Sequence, residues 1–168
     1  AESSGTRYIS ECKGRKSMRY TDVEYRELSK YIKDNDFDKF LYNKTILITG
    51  SKGLVGTSLV KWILVQNEIK GTNTRIIGST RNPLEIPDYI TEGDNIMYCQ
   101  YGTELNLKEH IDYIIHAASP TGNRYHMQHP VETFRTNVDG IEKMLDLAKL
   151  NEGVEMIYLS SEEVYGLP

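Results

Sequence analysis

The residues best placed to do chemistry begin at Gly50, Gly53 and Gly56. These three glycines, at G-x-x-G-x-x-G spacing, follow the β-rich apolar run Thr45 to Thr49 and open onto a helical pattern. Glycine at the first position permits a tight turn off a strand, and at the second it lets the main chain approach a pyrophosphate. At the third it lets the following helix pack closely. The helix start then offers unpaired N–H groups and the positive end of its dipole to phosphate oxygens. A glycine triplet alone also suits an ordinary strand-to-helix turn. The strand before it and the helix after it select the dinucleotide-binding reading, in which Gly50, Gly53, Leu54, Val55 and Gly56 cradle the phosphates.

A second group, Ser161, Glu162 and Glu163, follows the apolar run Met156 to Ser160. Two adjacent carboxyls in a cleft oppose each other's ionisation, so one can stay an acid while the other serves as a base. Their place at the C-terminal end of a strand is where ligands bind in open parallel sheets. The plainer alternative is a solvated turn. No metal site is assigned.

Positioning these residues takes a parallel sheet. Thr21 and Glu24 form a capping-box pattern, and Tyr25, Leu28, Tyr31 and Ile32 recur at helical spacing, so an amphipathic helix is expected over about 22–34. Residues 1 to about 20 show no sustained periodicity and read as a loose or docked tail. Beyond the glycine loop, Leu59, Val60, Ile63 and Leu64 mark the buried stripe of a crossover helix ending near Lys70 and Gly71. Strands are expected at Arg75 to Ser79, Asn95 to Gln100, Tyr113 to His116 and Met156 to Ser160. A helix starts at Pro130, carries Val131, Phe134, Val138, Ile141, Leu145 and Ala148 on one face, and stops at Gly153. The second-to-third and third-to-fourth strand connections carry no helical pattern. Strands joined by long crossovers give an α/β fold, a Rossmann-type parallel sheet with helices on both faces, ending after its fifth strand. Residues 1–43 form a helical N-terminal extension and 44–168 the NAD(P)-binding Rossmann domain.

At 168 residues and 39% hydrophobic content, the chain is long enough for one domain with its own core. No segment approaches a membrane span, and Ala1 to Thr6 lacks the apolar stretch of a signal peptide. Two cysteines, Cys12 and Cys99, fit a reducing cytoplasm better than a disulfide scaffold. A net charge of −4 argues against broad nucleic-acid affinity, and the basic cluster Lys13, Arg15, Lys16 and Arg19 reads as solvated surface. The expectation is a cytoplasmic protein with no membrane or nucleic-acid partner.

Four segments, in order, resemble the extended short-chain dehydrogenase/reductase family, whose members are mostly nucleotide-sugar epimerases, dehydratases and decarboxylases. They are the T-G-x-x-G-x-x-G loop at Thr49 to Gly56, D-Y-I-I-H-A-A-S at Asp112 to Ser119, T-N-V-D-G at Thr136 to Gly140, and S-S-E-E-V-Y-G at Ser160 to Gly166. The resemblance implies that His116, Ala117, Ala118 and Ser119 line the cofactor cleft and that Asn137 lies beside the cofactor. It also implies that Ser161 hydrogen-bonds the sugar hydroxyl being oxidised. A nucleotide sugar would be the substrate, with a 4-keto intermediate, and the parent enzyme a homo-oligomer. Members that eliminate water resemble Thr-Asp-Glu at the last three positions and decarboxylating members Thr-Ser-Glu, whereas this chain has Ser161-Glu162-Glu163. That suits 4,6-dehydration, with Glu162 as proton donor and Glu163 as acceptor. The loop from Ser119 to Pro130, with its Met-x-x-Pro ending, looks instead like the decarboxylases, and it brings Arg124 and Tyr125 toward substrate. Dehydratase and decarboxylase stand close together, with 4-epimerase behind them.

Three departures from the family pattern stand out. The family's general base is a Tyr followed four residues later by Lys, and none of the twelve tyrosines here has Lys at that offset. Such help is worth roughly 10²- to 10⁴-fold, so the chain reads as the N-terminal part of an enzyme, inactive alone. If it is complete, it reads instead as a non-catalytic dinucleotide-sensing domain. The acid expected after the second strand to bind the ribose is replaced around Ser79, Thr80 and Arg81, and Arg81 can face a 2′-phosphate. NAD is the favoured cofactor, with NADP left open. Finally, no Asp follows the third strand in Cys99-Gln100-Tyr101-Gly102.

Overall fold

The computed structural model describes residues 7–8, 20–91, 93–101 and 110–166, with the main chain alone for Arg7, Tyr8, Asp22, Asn123, Glu162 and Glu163. Cys12, Gly102 and the basic cluster Lys13 to Arg19 lie outside the described residues. A two-residue strand, β1 (Arg7–Tyr8), precedes α1 (Asp22–Asp34) and a short α2 (Asp38–Leu41). Then come β2 (Thr45–Thr49), α3 (Leu54–Lys70), β3 (Arg75–Thr80), β4 (Ile96–Gln100) and β5 (Tyr113–His116). The chain continues through α4 (Asn123–Gln128), α5 (Pro130–Lys149), β6 (Glu155–Tyr158) and a 3-10 turn over Glu162–Tyr165.

The sheet order is β1-β4-β3-β2-β5-β6, with β2 to β6 parallel and β1 antiparallel to β4. Five parallel strands agree with the sequence reading. The docked β1 adds an edge that two residues without periodicity could not announce. At the centre, Leu47 pairs with Ile77 on one side and Ile114 on the other. Because side chains alternate across a strand, Ile46, Ile48, Ile76 and Tyr98 face Val60 and Ile63 of α3. Leu47, Ile77, Met97 and Ile114 face Met144 and Leu147 of α5. Both faces of the central strands are therefore covered, as in parallel sheets generally, whereas Ile157 and Tyr158 of the edge strand β6 are exposed.

Thr21 caps α1, its Oγ1 accepting from Glu24 N–H at 3.1 Å. The Glu24 carboxylate does not complete a capping box with Thr21 but takes Lys61 Nζ at 2.8 and 3.0 Å. With Ile32 and Val65 fully buried against each other's helices, this ion pair docks α1 on α3. The α5 stripe read from the sequence does lie on one face, but most of that face is turned away from the core: Ala148 packs against the Leu47 and Ile114 cluster and Ile141 is half-buried. Val131, Phe134, Val138 and Leu145 are all exposed, and the helix rests on the sheet through Gly140, Met144 and Leu147 instead. The loop from Ser119 to Pro130 contains α4; the described residues of the 81–95 connection form no helix, as expected, and most of the next connection, 102–109, lies outside the described residues. Among the described residues no helix is long and apolar enough to cross a membrane, and no cluster of His, Cys, Asp and Glu is arranged to hold a metal ion.

Candidate functional site

The glycine loop leaves the C-terminal end of β2, between those of β3 and β5, with β6 beyond β5. Gly50 sits at φ +66°, a left-handed conformation that a side chain would strain, and a Cβ there would lie 2.8 Å from Ala117 O and 2.9 Å from Ala118 Cα. At Gly56 a Cβ would run into Gly50 O and come within 2.7 Å of Ser51 Cα. Gly53 is different: φ −74° and ψ 175° suit any residue, and a Cβ would meet just Gly50 O, at 3.2 Å. The first and third glycines thus fold the loop, while the second leaves open space in front of it.

That space faces the start of α3. Gly53 occupies its N-cap without a side-chain cap, so the N–H groups of Leu54, Val55 and Gly56 have no intrahelical acceptor. Leu54 is 88% exposed. Free donors, a positive helix end and open space that a side chain would occupy are what a pyrophosphate requires, so the residues present fit a dinucleotide cofactor.

The loop is pinned on two sides. Ser51 N–H and Oγ both donate to Ser79 O, at 3.3 and 3.2 Å, so the buried Ser79 serves the loop through its carbonyl. Lys52, a residue the motif reading passed over, extends across to the turn after β3. Its ammonium donates to Asn82 O at 2.6 Å and to Glu85 O, and lies 5.4 Å from the Tyr98 ring. Burial holds its pKa below the ordinary lysine value. A basic residue between two motif glycines was the available signal. Arg81, one residue past β3, is exposed.

On the other side Thr49 Oγ1 accepts the N–H groups of Ala117 at 3.1 Å and Ala118 at 3.2 Å, and lies 2.7 Å from His116 Nδ1. His116 itself is buried, beneath the cleft rather than on its wall. Ser119 donates to Asn137 Oδ1 at 2.9 Å, joining the β5 exit to α5. His116 pairs with Tyr158, so Ser119 and Ser161 leave neighbouring strands at matching positions. Ser161 O accepts from Val164 N–H at 3.3 Å in the 3-10 turn. That turn carries Glu162 and Glu163, whose side chains lie outside the described residues. On α4, Arg124 and Tyr125 are exposed, the Tyr125 ring lying 4.7 Å from that of His129.

An α/β sheet with a glycine-cradled helix start at its C-terminal edge defines a dinucleotide-binding protein. The chain belongs to the NAD dependent epimerase/dehydratase family, whose model matches residues 46–168. It is 32% identical over 126 residues to UDP-glucuronic acid decarboxylase 1 of Danio rerio, covering 74% of this chain and 29% of that protein. It is 34% identical over 128 residues to UDP-glucuronic acid decarboxylase 3 of Arabidopsis thaliana, covering 75% and 36% respectively. Among solved structures, the epimerase Mth375 of Methanothermobacter thermautotrophicus superposes with a TM-score of 0.57 at 25% identity, over 84% of this chain and 39% of that one. The chain thus spans about a third of the length of the curated relatives it matches.

Proposed function

We propose that this chain is the cofactor-binding part of an NAD-dependent enzyme that remodels a nucleotide-activated sugar, with decarboxylation of a nucleotide-linked uronic acid as the reaction. The observation that carries the cofactor reading is at Gly53, where free helix N–H groups meet open space that a side chain would occupy. The likeness to two UDP-glucuronic acid decarboxylases supports the reaction. When bound, the nicotinamide supplies the redox chemistry at the sugar C4. The chain's own residues bind and orient. Leu54, Val55 and Gly56 N–H groups receive the pyrophosphate, and Asn137, its Oδ1 held by Ser119, turns its amide to the cleft. Ser161 hydrogen-bonds the sugar hydroxyl from which a proton must leave. The group that takes this proton is a Tyr-x-x-x-Lys pair in the remainder of a longer enzyme, so the 168-residue chain alone does not turn over.

A second reading, 4,6-dehydration, is favoured by one observation: Glu162 stands where decarboxylases resemble Ser. In it Glu162 protonates the departing C6 hydroxyl and Glu163 removes the C5 proton. Incubating the full-length protein with a nucleotide-linked uronic acid separates the two. Carbon dioxide release that Glu162→Gln leaves nearly unchanged supports decarboxylation. Formation of a 4-keto-6-deoxy sugar, sharply slowed by Glu162→Gln, replaces it with dehydration. NAD is the cofactor proposed, and tighter binding of NADP than of NAD would instead assign Arg81 to a 2′-phosphate. The exposed apolar face of α5 supports a homo-oligomeric parent.

A further inference from the structure

His116 is buried to 1% exposure, its ring between Tyr101 (centroids 6.5 Å apart, planes at 13°) and Tyr158 (5.6 Å, 22°). Its Nδ1 lies 2.7 Å from Thr49 Oγ1, and that oxygen already accepts two main-chain N–H groups, from Ala117 and Ala118. A hydroxyl has two lone pairs and one proton. With both lone pairs engaged, the proton points to Nδ1, so the imidazole is neutral and carries its own proton on Nε2. Protonating Nδ1 would set N–H against O–H and force Thr49 to release an amide.

The far side of the ring holds nothing among the described residues that would favour the other tautomer. Neither His116 Nε2 nor Tyr101 Oη has a hydrogen-bond partner among the described residues, and both border Gly140 of α5. A Cβ at Gly140 would run into Tyr101 Oη and lie 3.5 Å from His116 Nε2. The elements packed on the ring present Thr49 from β2, Tyr158 from β6, Gly140 from α5 and Tyr101 from the end of β4. The titratable groups among these are the two phenols, so among the described residues no carboxylate is there to favour an imidazolium.

We propose that His116 is a positioning residue of the cofactor cleft. As the Nε2–H tautomer it aims the Thr49 hydroxyl, whose oxygen gathers the Ala117 and Ala118 amides and sets the β5 exit against Gly50. The role rests on the NAD-binding reading above; the tautomer does not.

Nitrogen-15 NMR of the histidine-labelled full-length protein reads the tautomer without cofactor. A pyridine-type Nδ1 and a pyrrole-type Nε2 at neutral pH are expected, and a protonated Nδ1 overturns the proposal. Calorimetric titration with NAD then tests the role. His116→Phe keeps a flat ring but removes the acceptor, and should weaken NAD binding about 3- to 10-fold. His116→Asn, which returns an acceptor near the Nδ1 position, should recover most of that loss, and His116→Phe should add nothing in a Thr49→Val background. A folded His116→Phe protein that binds NAD as tightly as the wild type overturns the positioning role and leaves NAD binding intact. A wild type that binds no NAD instead brings down the cofactor reading, and the role with it.

Discussion

Gly53 and Gly56 differ in what a side chain would meet, and that difference separates folding from binding. A methyl group at Gly56 has backbone on two sides, so Gly56→Ala should destabilise the protein by about 1–3 kcal/mol, read as a lower denaturant midpoint. An unchanged midpoint would mean that the loop is not packed as described. The motif spacing made all three glycines legible, but not their division of labour, which depends on how the loop folds against Ala117. Nor could His116 be read as a buried group from H-A-A-S alone, because its tautomer is set by Thr49, far away in sequence. Burial holds the His116 pKa below its ordinary 6.5. The unfolded chain therefore binds the proton more readily, and stability is full above about pH 6.5. It is lost as pH falls from there through the folded-state pKa. His116→Phe should flatten the stability profile in this window, and a profile identical to wild type would remove His116 as its cause.

At the scale of elements, Asp112 clamps the entry of β5 to that of β2. Its carboxylate accepts from Lys44 Nζ at 2.7 Å and from Thr45 N–H at 2.8 Å, and its own N–H donates to Thr45 O at 2.9 Å. Burial alone would raise its pKa, but the Lys44 ammonium and the Thr45 amide outweigh it and hold the carboxyl below its ordinary value. This contribution is present above the unfolded carboxylate pKa and lost as pH falls through the lower folded one. Asp112→Ala should cost about 1–3 kcal/mol at pH 7, and thermal melts should show the difference shrinking toward low pH. A constant difference would point to packing instead. Strand positions were legible because short apolar runs, buried in β2, β3 and β4, are flanked by glycine, asparagine or aspartate. The α5 surface was not, because helical periodicity identifies a face without saying what covers it. Here the buried side is carried by Gly140, Met144 and Leu147, and Gly140 gave the pattern no apolar mark.

For the whole molecule, Val131, Phe134, Val138 and Leu145 on α5 leave an apolar face open. Faces of this kind mark interaction surfaces, so the 168-residue chain should self-associate, and Phe134→Asp should shift its light-scattering mass toward that of one chain. A wild-type chain that stays single at high concentration would contradict this. The central claim is that the open space between the glycine loop and the start of α3 receives the pyrophosphate of NAD. Its most direct test is calorimetric titration of NAD into the full-length protein and its Gly53→Val variant. A side chain at Gly53 meets little but Gly50 O, at 3.2 Å, and the residue's φ and ψ are ordinary, so the variant should fold. The expected result is a melting temperature close to wild type with NAD binding weakened about tenfold or more, a loss of at least ~1.4 kcal/mol. Wild-type NAD affinity in a folded Gly53→Val protein would contradict the account.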